Sequence, residues 1–296
     1  MPVFRYALER WEPDPFQLII FHREPIPNDL QRTLKDLEPL VDAPDARPNL
    51  KTLFINVSDA IPALYSDLYS RQKNLALPSF ALCTPEWVKG DAPMESGAFD
   101  ANVLTRLIDS PRRKEIANHT LKGTAITWVV LETEDAAAND ALVEKLSKES
   151  QRLAQLPLIP AKLEKDGVNL LSSLPVEVSF ATVRFRADDP SESLLVKMLT
   201  DGNPVKEPTL FPIFGRGRAL AAMPANTVSA ELLEETARFL CGACSCQVKA
   251  QNPGFDLLFH THWQKIFGDD EVPMPEKRIQ EPPQPIYIPI PKGKKP

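Results

Sequence analysis

Twice along the chain a short apolar run leads into a stretch with helical spacing, a second strand-like run, and then a strand approached through proline. This repeat restricts the possible folds more than any other feature. The first succession opens with Phe16-Gln17-Leu18-Ile19-Ile20-Phe21, an apolar run suited to a central strand. Asn28 is placed to cap a helix whose Leu30, Leu34, Leu37 and Leu40 recur at helical spacing. Leu50 to Val57 reads as the next strand, and Asp59 as the cap of a helix with Ile61, Leu64 and Leu68 on one face. Leu77-Pro78-Ser79-Phe80-Ala81-Leu82 reads as a strand. A helix from about Asp100 to Leu121 is expected to restart at Ser110-Pro111, a cap followed by proline at the first helical position.

The second succession keeps that order. Ala125 to Leu131 is a strand, Asp140 to Leu156 a helix with Leu142, Leu146 and Leu153 on one side, and 157–175 a loop. Val176 to Phe185 alternates as a strand does. A short helix follows over Glu192 to Leu199, then Pro208 to Phe214, a turn at Gly215-Arg216-Gly217 and a return strand over Arg218 to Ala222. Ser229 caps a last helix, which Gly242 ends. The expected fold class is α/β: two tandem units, 1–122 and 123–267, each a central mixed sheet flanked by helices. At 296 residues each unit can bury a core of its own. Residues 268–296 are crowded with proline, which favours extended chain over helix or central strand; the apolar Ile286, Tyr287, Ile288 and Ile290 suit a strap laid over the protein better than a spacer.

Composition removes several functions. Lys and Arg number 34 against 40 Asp and Glu, a net charge of −6, whereas a nucleic-acid protein needs a basic footprint. No apolar run approaches the ~18–20 residues of a membrane helix. With 30 prolines and 11 glycines, little is left for phosphate-cradling loops, and no dinucleotide, P-loop, zinc-protease, serine-hydrolase or EF-hand pattern occurs.

The order β-α-β-α-β-β-α, occurring twice, resembles the thioredoxin fold in tandem. The resemblance is sharpest at Glu207-Pro208-Thr209-Leu210-Phe211 and the glycine-containing turn and return strand after it, with Leu77-Pro78-Ser79-Phe80 as the first-unit counterpart. In thioredoxins the matching proline is cis and opens the strand beside the active site, which makes Pro78 and Pro208 structural cis-proline candidates; cis costs an X-Pro bond only ~0.5–1 kcal/mol. Pro212 departs from the pattern, since it removes a ladder donor and implies a bulge or an edge. A generic α/β protein with prolines at strand starts is the plainer alternative. The fold would put active cysteines after the first strand of each unit. Those stretches read His22-Arg23-Glu24-Pro25-Ile26-Pro27-Asn28-Asp29 and Glu132-Thr133-Glu134-Asp135-Ala136-Ala137-Ala138-Asn139, so disulfide exchange lacks its nucleophile. The expected role is therefore a non-catalytic binding or scaffold protein whose partner is another protein, and no catalytic residue is assigned. An enzyme with its site between the units is a third class that leaves no sequence signature.

Three of the four cysteines, Cys241, Cys244 and Cys246, fall within six residues. Such thiolates can converge on a soft ion, Cu(I) or Zn(II), with His260 or His262 as a further ligand. A Cys241–Cys244 disulfide, or a redox pair, is the alternative use of the same segment. Cys83 reads as a small core residue. His22-Arg23 could meet an anion or act as a base, and a structural role suits a lone strand-end histidine as well. Arg112-Arg113-Lys114 reads as a solvated helix face, and Arg216 and Arg218 as a solvated hairpin with an anion contact as the alternative. Finally, PVFRYALERW together with LCGACSC resembles a family of uncharacterised exported bacterial proteins, which implies a place in the periplasm or cell envelope. The opening residues themselves show no basic start followed by an apolar segment, so no export signal is read from them.

Overall fold

Strands buried on both faces set the architecture. The computed structural model describes residues 1–23, 25–26, 28, 31–32, 47–159, 170–243 and 249–267. Strand β1 (Phe16–His22) lies parallel to β3 (Leu50–Asn56) and antiparallel to β4 (Ser79–Cys83), and β4 pairs antiparallel with β5 (Glu95–Ala98), giving the order β3-β1-β4-β5. In the second sheet β6 (Ile126–Glu132) lies parallel to β7 (Phe180–Arg186) and antiparallel to β8 (Thr209–Phe214), which pairs antiparallel with β9 (Arg218–Ala219). That order, β7-β6-β8-β9, repeats the first sheet strand for strand. β11 (Phe255–Asp256) extends it beyond β9, and β10 (Met223–Pro224) joins β8.

Because alternate side chains leave opposite faces of a strand, each sheet feeds two cores. Leu18 and Ile20 of β1 and Phe80 and Leu82 of β4 share one cluster with Val129 and Leu131 of β6 and Phe211 and Ile213 of β8. Helices α3 (Ala101–Ile108), α4 (Pro111–Leu121) and α6 (Ser193–Thr200) supply Leu104, Leu107, Ile116, Leu194 and Leu195 to it. The central core thus belongs to both sheets. Outside the first sheet, Ile19, Phe21, Ala81 and Cys83 pack with Leu68 of the short helix α2 (Ser66–Ser70). Outside the second, Trp128, Val130 and Leu210 meet α1 (Val3–Arg10), α5 (Ala136–Leu153) and α7 (Ala230–Cys241). Each large side chain so buried contributes about 1.5–3 kcal/mol.

The turn at 122–123 separates α4 from β6, and the chain crosses it in both directions. α1 packs with the second unit, its Val3 N–H donating to Gly242 O (3.1 Å). At the other end, β12 (His260–Thr261) pairs with β2 (Arg47–Pro48), and the Asn49 side chain bonds Leu257 O and Phe259 N. A fully buried ion pair within α1, Arg5–Glu9 (2.7 Å), fastens the segment after 169: Glu9 accepts from Leu171 N and Ser172 N, and Arg5 donates to Ser172 O and Leu174 O.

Caps fall where the side chains allow. Asp100, Ser110, Asp135 and Ser229 accept from Val103, Arg113, Ala138 and Leu232 amides, which divides the long helix expected over 100–121 at Ser110-Pro111. Other expectations are corrected. The helix expected from Asp59 begins only at Ser66, because Pro62 biases Ile61 away from helical angles, and Leu64 is left exposed. The return strand is broken: Pro212 offers β9 no N–H, so Leu220 donates to its carbonyl and pairing resumes at Met223–Leu210 as β10. Leu77–Pro78 is cis, whereas Glu207–Pro208 is trans; Pro208 O accepts from Ala225 N in line with the β8–β10 pairing, so the ordinary isomer serves there. Asn28, Gln31 and Arg32 are helical, but the remainder of that helix, including Leu30, Leu34, Leu37 and Leu40, and the tail 268–296 lie outside the described residues.

Candidate ligand-binding site

Parallel strands open a crevice beyond their carboxyl ends, and β1 carries its only histidine there. His22 is buried, its ring edge-on to Phe54 at 6.2 Å, and its carbonyl accepts from Val57 N. From the other side comes the turn after α2. Gln72 N donates to Tyr69 O and Leu75 N to Gln72 O, which satisfies the backbone and turns the Gln72 side chain inward, where it is 3% exposed. The Leu77–Pro78 link closes the third side before Ser79 starts β4.

Between these segments lies a cavity of about 460 Å³, a size typical of small-molecule sites. Its floor is His22 and Gln72, its wall includes Ile26, Leu75, Leu77 and Pro78, and Arg23 and Lys73 stand exposed at its mouth. Among the described lining residues there is no carboxylate. His22 Nδ1, Gln72 Oε1 and Nε2, and Ser79 Oγ beside Pro78 are buried without hydrogen-bond partners. Each such group costs about 1–3 kcal/mol if nothing meets it. Clustered at one end of one sheet, they make this cavity the candidate site.

The corresponding end of the second sheet differs. There a cleft of about 480 Å³ lies over the ends of β6 and β7, lined by Glu132, Arg184, Arg186 and Asp188. Its charges cancel: Arg184 pairs with Glu132 and with Asp140 (2.8 Å), and Arg186 with Asp188 (2.7 Å). Hydrogen bonds to Asp140 and Glu132 hold the Arg184 pKa above its ordinary value, and the bond to Asp188 does the same for Arg186. The segment between β6 and α5 closes on itself, as Asn139 both accepts from Thr133 N and donates to Thr133 O.

No described thiol reaches either end. Cys83 stands opposite Gln17 while Ser79 stands opposite Phe21, which sets Cys83 four residues, about 13 Å, from the cavity. It is fully buried and unbonded to sulfur; burial, reinforced by the charge of Asp91, pushes its pKa from 9.0 up to about 12. Cys241 ends α7 inside the outer core of the second sheet, and burial pushes it likewise to about 12. A thiol so held is a poor nucleophile and a poor ligand. Cys244 and Cys246 lie outside the described residues. His260 lies in β12 against Pro48 and His262 just beyond it, among residues of the central core rather than beside Cys241. Among the described residues no three His, Cys, Asp or Glu side chains form a group that could hold a metal ion.

Three arginines expected in solvent, Arg113, Arg216 and Arg218, are buried instead, while Lys114 stays exposed and Arg112 half-buried as a solvated face implies. Arg113 donates to Leu107, Leu258 and Arg106 carbonyls and to Ser110 Oγ, and burial lowers its pKa to about 10 against the raising effect of Asp109 and Glu192. Arg216 donates to Leu8 O and pairs with Glu12, and Arg218 pairs with buried Asp256. These are internal ties, formed because distant segments bring unsatisfied carbonyls to the guanidinium. Gln72 and Lys73 went unread in the sequence, because an Arg-Gln-Lys-Asn run carries no motif; His22-Arg23 and Leu77-Pro78-Ser79-Phe80 were the signals for the site. No protein-family model matches the chain, and no curated protein matches it.

Proposed function

We propose that the chain is a non-catalytic binding protein built of two thioredoxin-like units, and that the cavity beside His22 and Gln72 is where it binds. The observation that carries this is the pairing of a cysteine-free segment after β1 with unpartnered polar groups gathered in a cavity at the same place. The thioredoxin-like reading is supported by the identical strand order and polarity of the two sheets and by Pro78 before the third strand of the first; Pro208, which is trans, matches in position alone. A scaffold role toward another protein, and a place outside the cytoplasm, extend the same reading through the resemblance of PVFRYALERW and LCGACSC to exported bacterial proteins.

Insulin-disulfide reduction and isomerisation of a scrambled disulfide substrate test it directly. The expected rates equal those of buffer, with and without a thiol reductant. Turnover that survives Cys244→Ser and Cys246→Ser, or that is abolished by them, equally overturns the non-catalytic reading.

A further inference from the structure

We infer that the cavity beside His22 and Gln72 takes a small organic carboxylate bearing an amide, the chemistry of an N-acylated amino acid or of the last residue of a peptide. The inference rests on the reading of the chain as a binding protein and specifies what is bound. Three features of the cavity converge on it. The first is the floor: Gln72 offers both an unpartnered carbonyl oxygen and an unpartnered NH₂, so what meets it must bring both a donor and an acceptor, as an amide does with its N–H and C=O. His22 Nδ1 adds a site that donates or accepts according to tautomer. A fully deprotonated inorganic anion such as sulfate cannot satisfy this floor, because it has no donor for Gln72 Oε1.

The second feature is the mouth. Arg23 and Lys73 are exposed at the rim of a cavity with no carboxylate among its described lining residues, in a chain whose net charge is −6. The local sign is opposite to the global one, and a guanidinium with an ammonium suits a carboxylate. The third is the wall. Leu75, Leu77 and Pro78 present apolar surface between mouth and floor, so the ligand's middle is an aliphatic side chain. Leu75 is 39% exposed although it lines the cavity, which leaves it to be covered by such a group.

Calorimetric titration of the full chain with N-acetyl-leucine tests this, set against N-acetyl-leucinamide, which lacks the carboxylate, and 4-methylpentanoate, which lacks the amide. N-acetyl-leucine is expected to bind roughly tenfold more tightly than either. Gln72→Leu should abolish its advantage over 4-methylpentanoate. Arg23→Gln combined with Lys73→Gln, both at exposed positions that leave the fold untouched, should abolish its advantage over the amide. An acetylated tripeptide ending in leucine separates the sources: equal affinity points to a chain terminus, and roughly tenfold weaker binding to the free acylated amino acid. Equal binding of all three small ligands, of inorganic phosphate as well as N-acetyl-leucine, or no binding at all overturns the inference. If that happens while insulin reduction stays at the buffer rate, the binding reading stands and only its ligand class falls.

Discussion

Raising the pH from 8 to 10 should destabilise the fold through two thiols that never see solvent. Cys83 and Cys241 titrate near 12 in the folded chain against 9.0 when free. Between these values the unfolded chain releases protons that the folded chain retains, so the unfolded state binds fewer protons and stability falls as pH rises. The stabilisation is present in full below pH 9 and is lost from there upward. At pH 10 an unfolded thiol of pKa 9.0 is about nine-tenths ionised, which favours unfolding by about 1.4 kcal/mol per thiol, and this hardly depends on how far above 10 the folded value lies. Lysines and tyrosines titrate over the same range, so the measurement is a difference: urea unfolding at pH 8 and pH 10 for the parent chain, Cys83→Ala and Cys241→Ala. Each variant is less stable at pH 8 by its packing loss, yet should lose about 1.4 kcal/mol less than the parent on going to pH 10. A variant that falls in parallel with the parent would mean that its thiol already ionises in the native protein. The chemical inertness on which the non-catalytic reading leans would then be gone.

Two further predictions concern the ties between segments. Glu9→Gln leaves the fully buried Arg5 without its counter-ion and should cost about 3–5 kcal/mol in urea unfolding, with faster proteolysis around Leu171 to Leu174; Arg5→Met added to it should recover part of the loss, and a cost below about 1 kcal/mol for the single change would refute the assignment. Gly217→Ala places a methyl group into the Phe259 ring at a φ of +88° and should lower stability by on the order of 2–4 kcal/mol. Gly90→Ala, at a φ of +102° with open space around it, should show the backbone part alone, about 1 kcal/mol; similar losses for both would remove Phe259 from the explanation.

Strands and caps were legible because their signals are local. Phe16–Phe21 and Ala125–Leu131 are apolar at every or nearly every position, as a strand covered on both faces requires, and Asp100, Ser110 and Ser229 sit one residue before helices that begin where they cap them. Helix α1 went unread because Val3–Arg10 mixes Arg5 and Glu9 into its buried side, and only a pair neutralised from within can lie there. Arg113, Arg216 and Arg218 were misplaced for a related reason. Their partners are carbonyls and carboxylates of segments as far away as Leu258 and Leu8, and nothing in a basic dipeptide announces a distant acceptor. The candidate site was half legible: His22-Arg23 ends an apolar run and so falls at a strand terminus, whereas Gln72 and Lys73 belong to a short turn whose position depends on how α2 packs against Phe21 and Ala81.

The shared central core decides where binding can occur. Among the described residues the inner faces of both sheets are pressed into one cluster and the outer faces pack against α2 on one side and α1, α5 and α7 on the other, so the sheet faces are largely covered. What remains are the ends of the two parallel strand pairs. At the β6–β7 end the arginines already hold carboxylates, and Asn139 holds the backbone after β6, so a ligand there would have to displace bonds already made. At the β1–β3 end the polar groups of Gln72, His22 and Ser79 have nothing to give up. Two units of one pattern therefore differ in the free energy of the first contact a ligand makes. The repeat supplies two crevices, and on the proposed binding reading the side chains that fill or leave open each one favour the first.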